Sequence, residues 1–577
     1  MLKINYRKFG ISTKDRIIND THIHTKENYN VIYSNEWVEI IIYGNNSSVD
    51  IYKGIDKIVL LDGYCYEDGK LISVKNISLD KDKSWMNNVS KLTGSFNIII
   101  YEIKSNNLHV KSDKFGSRLL FYHESESNFY IASRLFDLVK YSNSTPSISN
   151  ISKQEFLYYN GFMQNSRTLL EDFFIFPTNK LLNISRSNVK WDEFTIPMYR
   201  FGEKNNFEEF LEQWKLGFDI LLEKYQNKNI LVPLSAGLDS RAVLSELSSR
   251  GLNDQITTFT FSHPNSYELK ISQEVAKSLG VRHKAIYWTQ KDVLDFENYE
   301  DNVINTDGMI FANPYIPNHL YRDFINEGDV IWSGFSGDPL MGSHTLDNLH
   351  IDNNKSLADF CFQKYSNLNS HELSLLNIDF DFNNLKREME KSTHHYKNKN
   401  LIEGFDSWYM QNRNRYTTQS GVTGNRDVFE FVFPFLWISD YAYTSRLKGR
   451  YGRSDFLTYV KSLYKTSFNI ANSSDWPFNY SSISRVSNFL NDRLSKRSLY
   501  IKNAPVCSYK FNYDHFLWSS KPFRNKLLDQ IESLDNNKLI KSMDQLVQCL
   551  DQKQLSFTFI DIIRSFLIIE KTFTNIK

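Results

Sequence analysis

The sequence predicts two domains in series: a β-rich sandwich over residues 1–200, then a parallel-sheet α/β domain over 201–577 that ends in a helical part. Three observations predict this order. Up to about Ile196, short apolar runs are separated by Gly, Asn, Asp and Ser, which is how antiparallel strands joined by hairpins read. From Phe207 onward, apolar runs of strand length alternate with amphipathic runs of helix length, the order that builds a parallel sheet covered on both faces. Beyond Gly342 the pattern is mostly helical and aromatic-rich.

In the first domain the expected strands are "EWVEIIIYG", "KIVLLDGY", "GSFNIIIYE", "NLHVKSD", "RLLFYH" and "NFYIAS". The polar segment "RFGEKNN" closes it, and the periodic run Phe207 to Tyr225 reads as the helix leading into the second. There the expected order is strand "NILVPL", a helix from Ser240, strand "ITTFTF", helix "SYELKISQEVAKSLG", strand "HKAIYW", helix "NPYIPNHLYRDFI" and strand "DVIWSG". Near the C-terminus "LSFTFIDIIRSF" and "FLIIE" read as a packed core helix, too short to cross a bilayer.

A chain of 577 residues exceeds a single core, and 41% hydrophobic residues suffice to fill two or three. Lys plus Arg number 68 against 67 for Asp plus Glu, so no basic surplus is available to hold a phosphate backbone, and nucleic acid is not the expected partner. Cys65, Cys361, Cys507 and Cys549 are scattered without metal or disulfide spacing, which suits a reducing cytoplasm. The opening "MLKINYRKFG" has no apolar signal core, so neither export nor a membrane partner is expected.

The chemistry concentrates in "ILVPLSAGLDSRAVLSEL", Ile230 to Leu247. A strand that ends in small residues and feeds a helix gathers backbone N–H groups and the positive end of a helix dipole at one concave spot, which suits phosphate. Gly237 permits backbone conformations that a side chain would obstruct, and Ser235 and Ser240 add hydroxyls. Asp239 repels phosphate unless a cation lies between them, which points to Mg²⁺. The absence of G-x-x-x-x-G-K-[ST] excludes a Walker loop. An ordinary helix N-cap would explain Ser and Asp, though not the whole set of small residues.

"LSAGLDSR" resembles the pyrophosphate loop "SGGxDS" of the asparagine synthetase superfamily of ATP pyrophosphatases, with Ala236 for the first glycine. Further blocks follow in the family's order: "TFTFSHPNSYELKISQEVAKSLGVRH", "NTDG" at Asn305 to Gly308, "WSGFSGDPLMG" at Trp332 to Gly342, and "FEFVFPFLWISDY" at Phe429 to Tyr441. Upstream, "LTGSFNIIIYEIKSNNLHVKSDKFGSRLLFYH" and "YYNGFMQNSRTLLEDFFIFPTNKLL" resemble the family's glutaminase domain, an αββα sandwich, with Thr178 where a glycine is usual. The resemblance spans about residues 55 to 445.

It implies ATP as cosubstrate, adenosine contacts from Pro233, Phe261, Ser333 and Gly334, and Mg²⁺ held by Asp239 and Asp338. It also exposes departures. Family glutaminases use a mature N-terminal cysteine, whereas this chain reads "MLKIN" and its first cysteine, Cys65, lies in an apparent core strand; glutamine hydrolysis is not expected. Phe335 stands where β-lactam synthetases carry a proton-transferring residue, and "NIANSSDWPFNYSS" lacks the family's late lysine. Arg241 could partly replace that cation, or face solvent; Glu430 could accept a proton from an incoming amine, or form a structural ion pair. His283 and His344 belong to no ligand cluster.

Loss of the thiol also marks β-lactam synthetases and lasso-peptide cyclases. The resemblance therefore implies an AMP-forming amide ligase without glutaminase activity, acting on small-molecule or peptide carboxylates and amines, with a leader-peptide-binding protein or a protease as partner where the substrate is a peptide. Amidation of a sugar acid or other small metabolite is the alternative among enzymes. A non-catalytic nucleotide- or peptide-binding scaffold is the alternative outside them.

Overall fold

The structure is a computed structural model; it describes residues 2–7, 29–43, 49–77, 91–194, 199–202, 207–309, 325–345, 356–416, 430–470 and 520–574, with Leu517 and apart from a few isolated positions inside those ranges. The run "NPYIPNHLYRDFI", almost all of "NIANSSDWPFNYSS" and Cys507 lie outside the described residues.

The first part of the chain builds two antiparallel sheets. One has six strands in the order Phe173–Ile175, Phe121–Glu124, Asn128–Ala132, Leu2–Arg7, Val38–Tyr43, Tyr29–Ser34. The other runs Asn188–Glu193, Lys180–Ser185, Asn107–Ser112, Thr93–Glu102, Lys57–Glu67, Val49–Lys53, with Lys70–Leu71 paired to Lys57–Glu67. Leu2, Ile4 and Ile40 of the first sheet share a core with Leu60, Ile99 and Val110 of the second, so the two stack as a sandwich. The central strands of the second sheet are apolar without alternation because both faces are covered. In that ladder Leu60 faces Ile99 and Val59 faces Ile100; the first pair enters the inter-sheet core and the second a separate cluster with Cys65 and Phe96. Helices Leu135–Ser142 and Asn150–Tyr158 cover the outside of the first sheet, Leu135 and Leu138 packing with Phe121 and Tyr130.

The second part centres on five parallel strands in the order Arg282–Tyr287, Ile256–Ser262, Ile230–Pro233, Val330–Trp332, Glu430–Val432. Helices Phe207–Lys224, Asp239–Ser249 and Tyr267–Ser278 pack on it through Trp214, Phe218, Val243, Leu247, Ile271 and Val275. Four of the strands follow the sequence reading; the fifth, Glu430–Val432, is only three residues long and sits inside an apolar run that reads equally well as helix. The C-terminal helix Phe557–Thr574 is buried along most of its length and belongs to the same core as Phe156 and Leu157 of the first part. Among the described residues no helix is long and apolar enough to cross a membrane.

Buried polar contacts tie the two parts together. Arg118 donates to Asp62 at 2.9 Å and pairs with Glu430 from the parallel sheet. Gly63, at φ +101°, makes room: a Cβ there would meet Arg118 Nε at 2.3 Å. Tyr66 stacks on Trp437 with ring centroids 3.4 Å apart, and Arg134 donates to Asp307 of "NTDG" at 2.9 Å.

Candidate active site

The parallel sheet brings the expected nucleotide residues to one edge. Pro233 ends its strand, Phe261 lies near the end of the neighbouring strand Ile256–Ser262, and Ser333 and Gly334 follow Val330–Trp332. This is the carboxyl edge, where open α/β sheets bind ligands. Here the loop after Trp332 presses against the turn after Pro233. A Cβ on Gly334 would lie 2.6 Å from Ser240 N, and one on Gly337 would lie 2.8 Å from Asp239 Cγ. Both glycines are therefore required by close approach, and that approach brings Asp338 to Asp239.

The turn differs from the sequence expectation in detail. Its small residues cap one another: Ser240 Oγ accepts from Ser235 N at 3.0 Å, Ser235 Oγ accepts from Gly237 N at 3.1 Å, and Glu268 accepts from Ala236 N at 3.3 Å. The N–H groups at 235–237 are thus already used. Those that remain belong to the first turn of the helix Asp239–Ser249, which has no intrahelical partners for them. Gly237 is not among the glycines at positive φ, and a Cβ there would meet only Ser235 Oγ, at 3.0 Å. Its bareness makes room for the Ser235 hydroxyl rather than relieving backbone strain.

Asp239 and Asp338 share one guanidinium. Arg453 Nη1 donates to Asp239 Oδ1 and Oδ2 at 2.9 and 3.0 Å and lies 2.5 Å from Asp338 Oδ1. Burial first, and then the neighbouring Asp338 carboxylate, push the Asp239 carboxyl well above its ordinary range, against the pull of Arg453. Arg453 itself sits at φ 59°, ψ 34°, a left-handed conformation that costs an arginine of order 1 kcal/mol and persists only when its surroundings fix it. No local sequence signal marks it, because only tertiary packing brings it to the acids.

The two other candidates lie elsewhere. Arg241 is fully buried and donates to the main-chain carbonyls of Ile470 at 2.7 Å, Ser467 at 3.2 Å and Ala236 at 3.4 Å. Both sequence readings of it, as phosphate cation or as solvent-facing residue, give way to a brace behind the turn. Glu430 pairs in register with Val330 at the start of its strand, on the amino edge of the sheet, and is 5% exposed. Its partner is Arg118, the ion-pair alternative of the sequence reading. His283 is held by Thr258 Oγ1 at 2.8 Å with burial lowering it to about 4, and His344 stacks on Tyr409.

In the first part, Leu2 is buried and its N–H donates to Ser133 Oγ at 3.0 Å. Cys65 is fully buried, and desolvation pushes its thiol up to about 12, which leaves it inert at neutral pH.

Comparison with known proteins finds two family matches along the chain. The glutamine amidotransferase domain family matches residues 83–195 and the asparagine synthase family matches residues 225–430. A 7-cyano-7-deazaguanine synthase from Psychromonas ingrahamii is 35% identical over 60 residues, 10% of this chain and 27% of that protein. The chain thus matches about a quarter of that relative's length. The asparagine synthase match supports an ATP-using, amide-forming ligase. With a glutamine amidotransferase domain followed by an asparagine synthase domain, the chain has the architecture of the asparagine synthetase superfamily.

Proposed function

We propose that the protein is an ATP-dependent ligase that adenylates a carboxylate and joins it to an amine, releasing AMP and pyrophosphate and hydrolysing no glutamine. The observation that carries this reading is the convergence of Asp239 and Asp338 on one cationic group at the carboxyl edge of the parallel sheet. Two carboxylates pressed together, one of them largely shielded from solvent, call for a cation of higher charge than a guanidinium. Mg²⁺ fits, since it commonly takes one or two protein carboxylates and completes its shell with water and phosphate oxygens; when bound there it would offset the charge of the leaving pyrophosphate.

The chain's own residues do the remaining work. The first-turn amides of helix Asp239–Ser249 point their dipole at the same edge and favour an anion there. Ser235 and Ser240 hold the turn in shape through their 3.0 Å contact. Arg453, which lies between the two acids, would supply a cation beside the departing charge when a metal is bound there, in a chain whose expected late lysine region lacks that residue. Peptide or other natural-product amide closure is the favoured product class, because the thiol is lost while the acidic pair is kept. One rival has an observation of its own: in a scaffold, Arg453 would replace the metal permanently.

Chromatography of the products with a panel of carboxylates and amines decides the matter. AMP and pyrophosphate are expected, and Asp239→Asn should lower turnover at least ~10²-fold while the fold is kept. ADP as product excludes adenylation; equal ATP affinity with and without Mg²⁺ excludes the metal role of Asp239.

A further inference from the structure

A second cleft opens between the sandwich and the helical part, away from the acidic pair. Tyr122, Thr178, Lys180 and Trp191 form its sandwich side, Lys391 and Arg415 its helical side, and it encloses about 300 Å³, room for a small organic molecule. Its charges are unequal in an informative way. Lys180 pairs with Glu193 at 2.9 Å and Lys391 with Glu388 at 2.6 Å, so the rim lysines are compensated. Arg415 is not. It is 3% exposed, donates to Phe176 O at 2.7 Å, leaves Nε without a partner and is paired with no carboxylate among the described residues. Burial lowers its affinity for the proton, against smaller opposing pulls from Tyr416, Asp113 and Tyr396, as befits a buried charge with no carboxylate in contact.

The protein has gone to some length to hold that charge there. Gly116 stays bare at φ +56° because a Cβ would meet Arg415 Nε at 2.6 Å and Thr178 Cγ2 at 2.8 Å. Directly beneath, Lys111 is also buried and donates to Thr178 O at 2.6 Å. A guanidinium with no carboxylate in contact among the described residues, at the wall of a small cleft flanked by aromatic rings, fits one negative charge on an apolar body. A doubly charged phosphate would bring more charge than the cleft balances.

We propose that this cleft binds a small organic monocarboxylate, with Arg415 as its counter-ion and Tyr122 and Trp191 against its apolar body. The neighbouring side chain connects it to the acidic loop: Asn414 Nδ2 donates to Ser336 Oγ at 3.3 Å, in the turn that carries Asp338. The inference does not rest on the ligase reading, since the cleft and its charge stand without it.

The test is calorimetric titration of the full-length protein with phenylacetate, with phenylacetamide as a neutral molecule of the same shape, and with inorganic phosphate. Saturable binding of phenylacetate, at least ~10-fold tighter than of the amide, is expected, because a charge-assisted contact to a buried arginine distinguishes the two. Arg415→Gln should abolish the difference. Arg415→Lys, which keeps the charge but loses the planar fork, should retain part of it and covers the case in which the glutamine variant does not fold. Equal affinity for acid and amide, no saturation by either, or competition by phosphate as effective as by phenylacetate overturns the proposal.

Discussion

Lys111 shows how a single side chain ties stability to pH. Desolvation brings its ammonium down to about 8, against a smaller opposing pull from Asp113. Below pH 8 the folded and unfolded chains both carry the proton, and this group contributes no pH dependence. Between about 8 and the ordinary 10.5 the unfolded chain binds the proton and the folded chain does not, so stability rises with pH, by about 3 kcal/mol over the window. Lys111→Met removes this slope. The melting temperature of the wild type should gain on that of the variant between pH 7.5 and pH 10; a difference that stays constant across the range refutes the buried, proton-shedding lysine. Asp239 behaves in the opposite sense, its carboxyl raised by burial and by Asp338, which is why a cation belongs beside it.

At the scale of the loops, three glycines at the carboxyl edge have different jobs. Gly334 and Gly337 stay bare because backbone or Asp239 stands within 3.0 Å of where a Cβ would be, whereas a Cβ on Gly237 would meet only the Ser235 hydroxyl, at 3.0 Å. Gly334→Ala should cost about 1–3 kcal/mol of stability, the cost of overpacking against backbone. Gly237→Ala should cost less stability than Gly334→Ala, since only the Ser235 hydroxyl must give way, yet bind ATP at least ~10-fold more weakly, because the added methyl crowds the turn at the phosphate edge. Unchanged ATP affinity in that variant would show that the nucleotide lies elsewhere. This division was only half visible in the sequence. The strand before the turn and the helix after it follow from periodicity, and the acids from their family blocks. That the turn's own N–H groups would be consumed by Ser240, Ser235 and Glu268 depends on contacts across the fold. Arg453 and Arg415 were illegible for the same reason: each gains its meaning from neighbours distant in sequence, and neither has a flanking pattern that distinguishes it from any other arginine.

Across the whole molecule, the ion-pair group of Asp62, Arg118 and Glu430 joins the sandwich to the parallel sheet, and its place decides what Glu430 does. Arg118 is 1% exposed and faces both carboxylates, with Asn97 Nδ2 donating to Asp62 at 3.1 Å. Removing the guanidinium takes from two buried acids the counter-charge they share, so Arg118→Met should destabilise by about 3–5 kcal/mol. Glu430→Gln leaves Arg118 paired with Asp62 and keeps an acceptor, so it should cost less, about 1–3 kcal/mol. Since Glu430 starts its strand opposite Val330, it lies at the far edge of the sheet from Asp239. Its loss should therefore leave ATP affinity and turnover unchanged at temperatures where the variant is folded. Denaturant unfolding and ATP titration of the two variants separate the possibilities. A Glu430→Gln protein of wild-type stability that binds ATP but forms no product would return the residue to the role of proton acceptor.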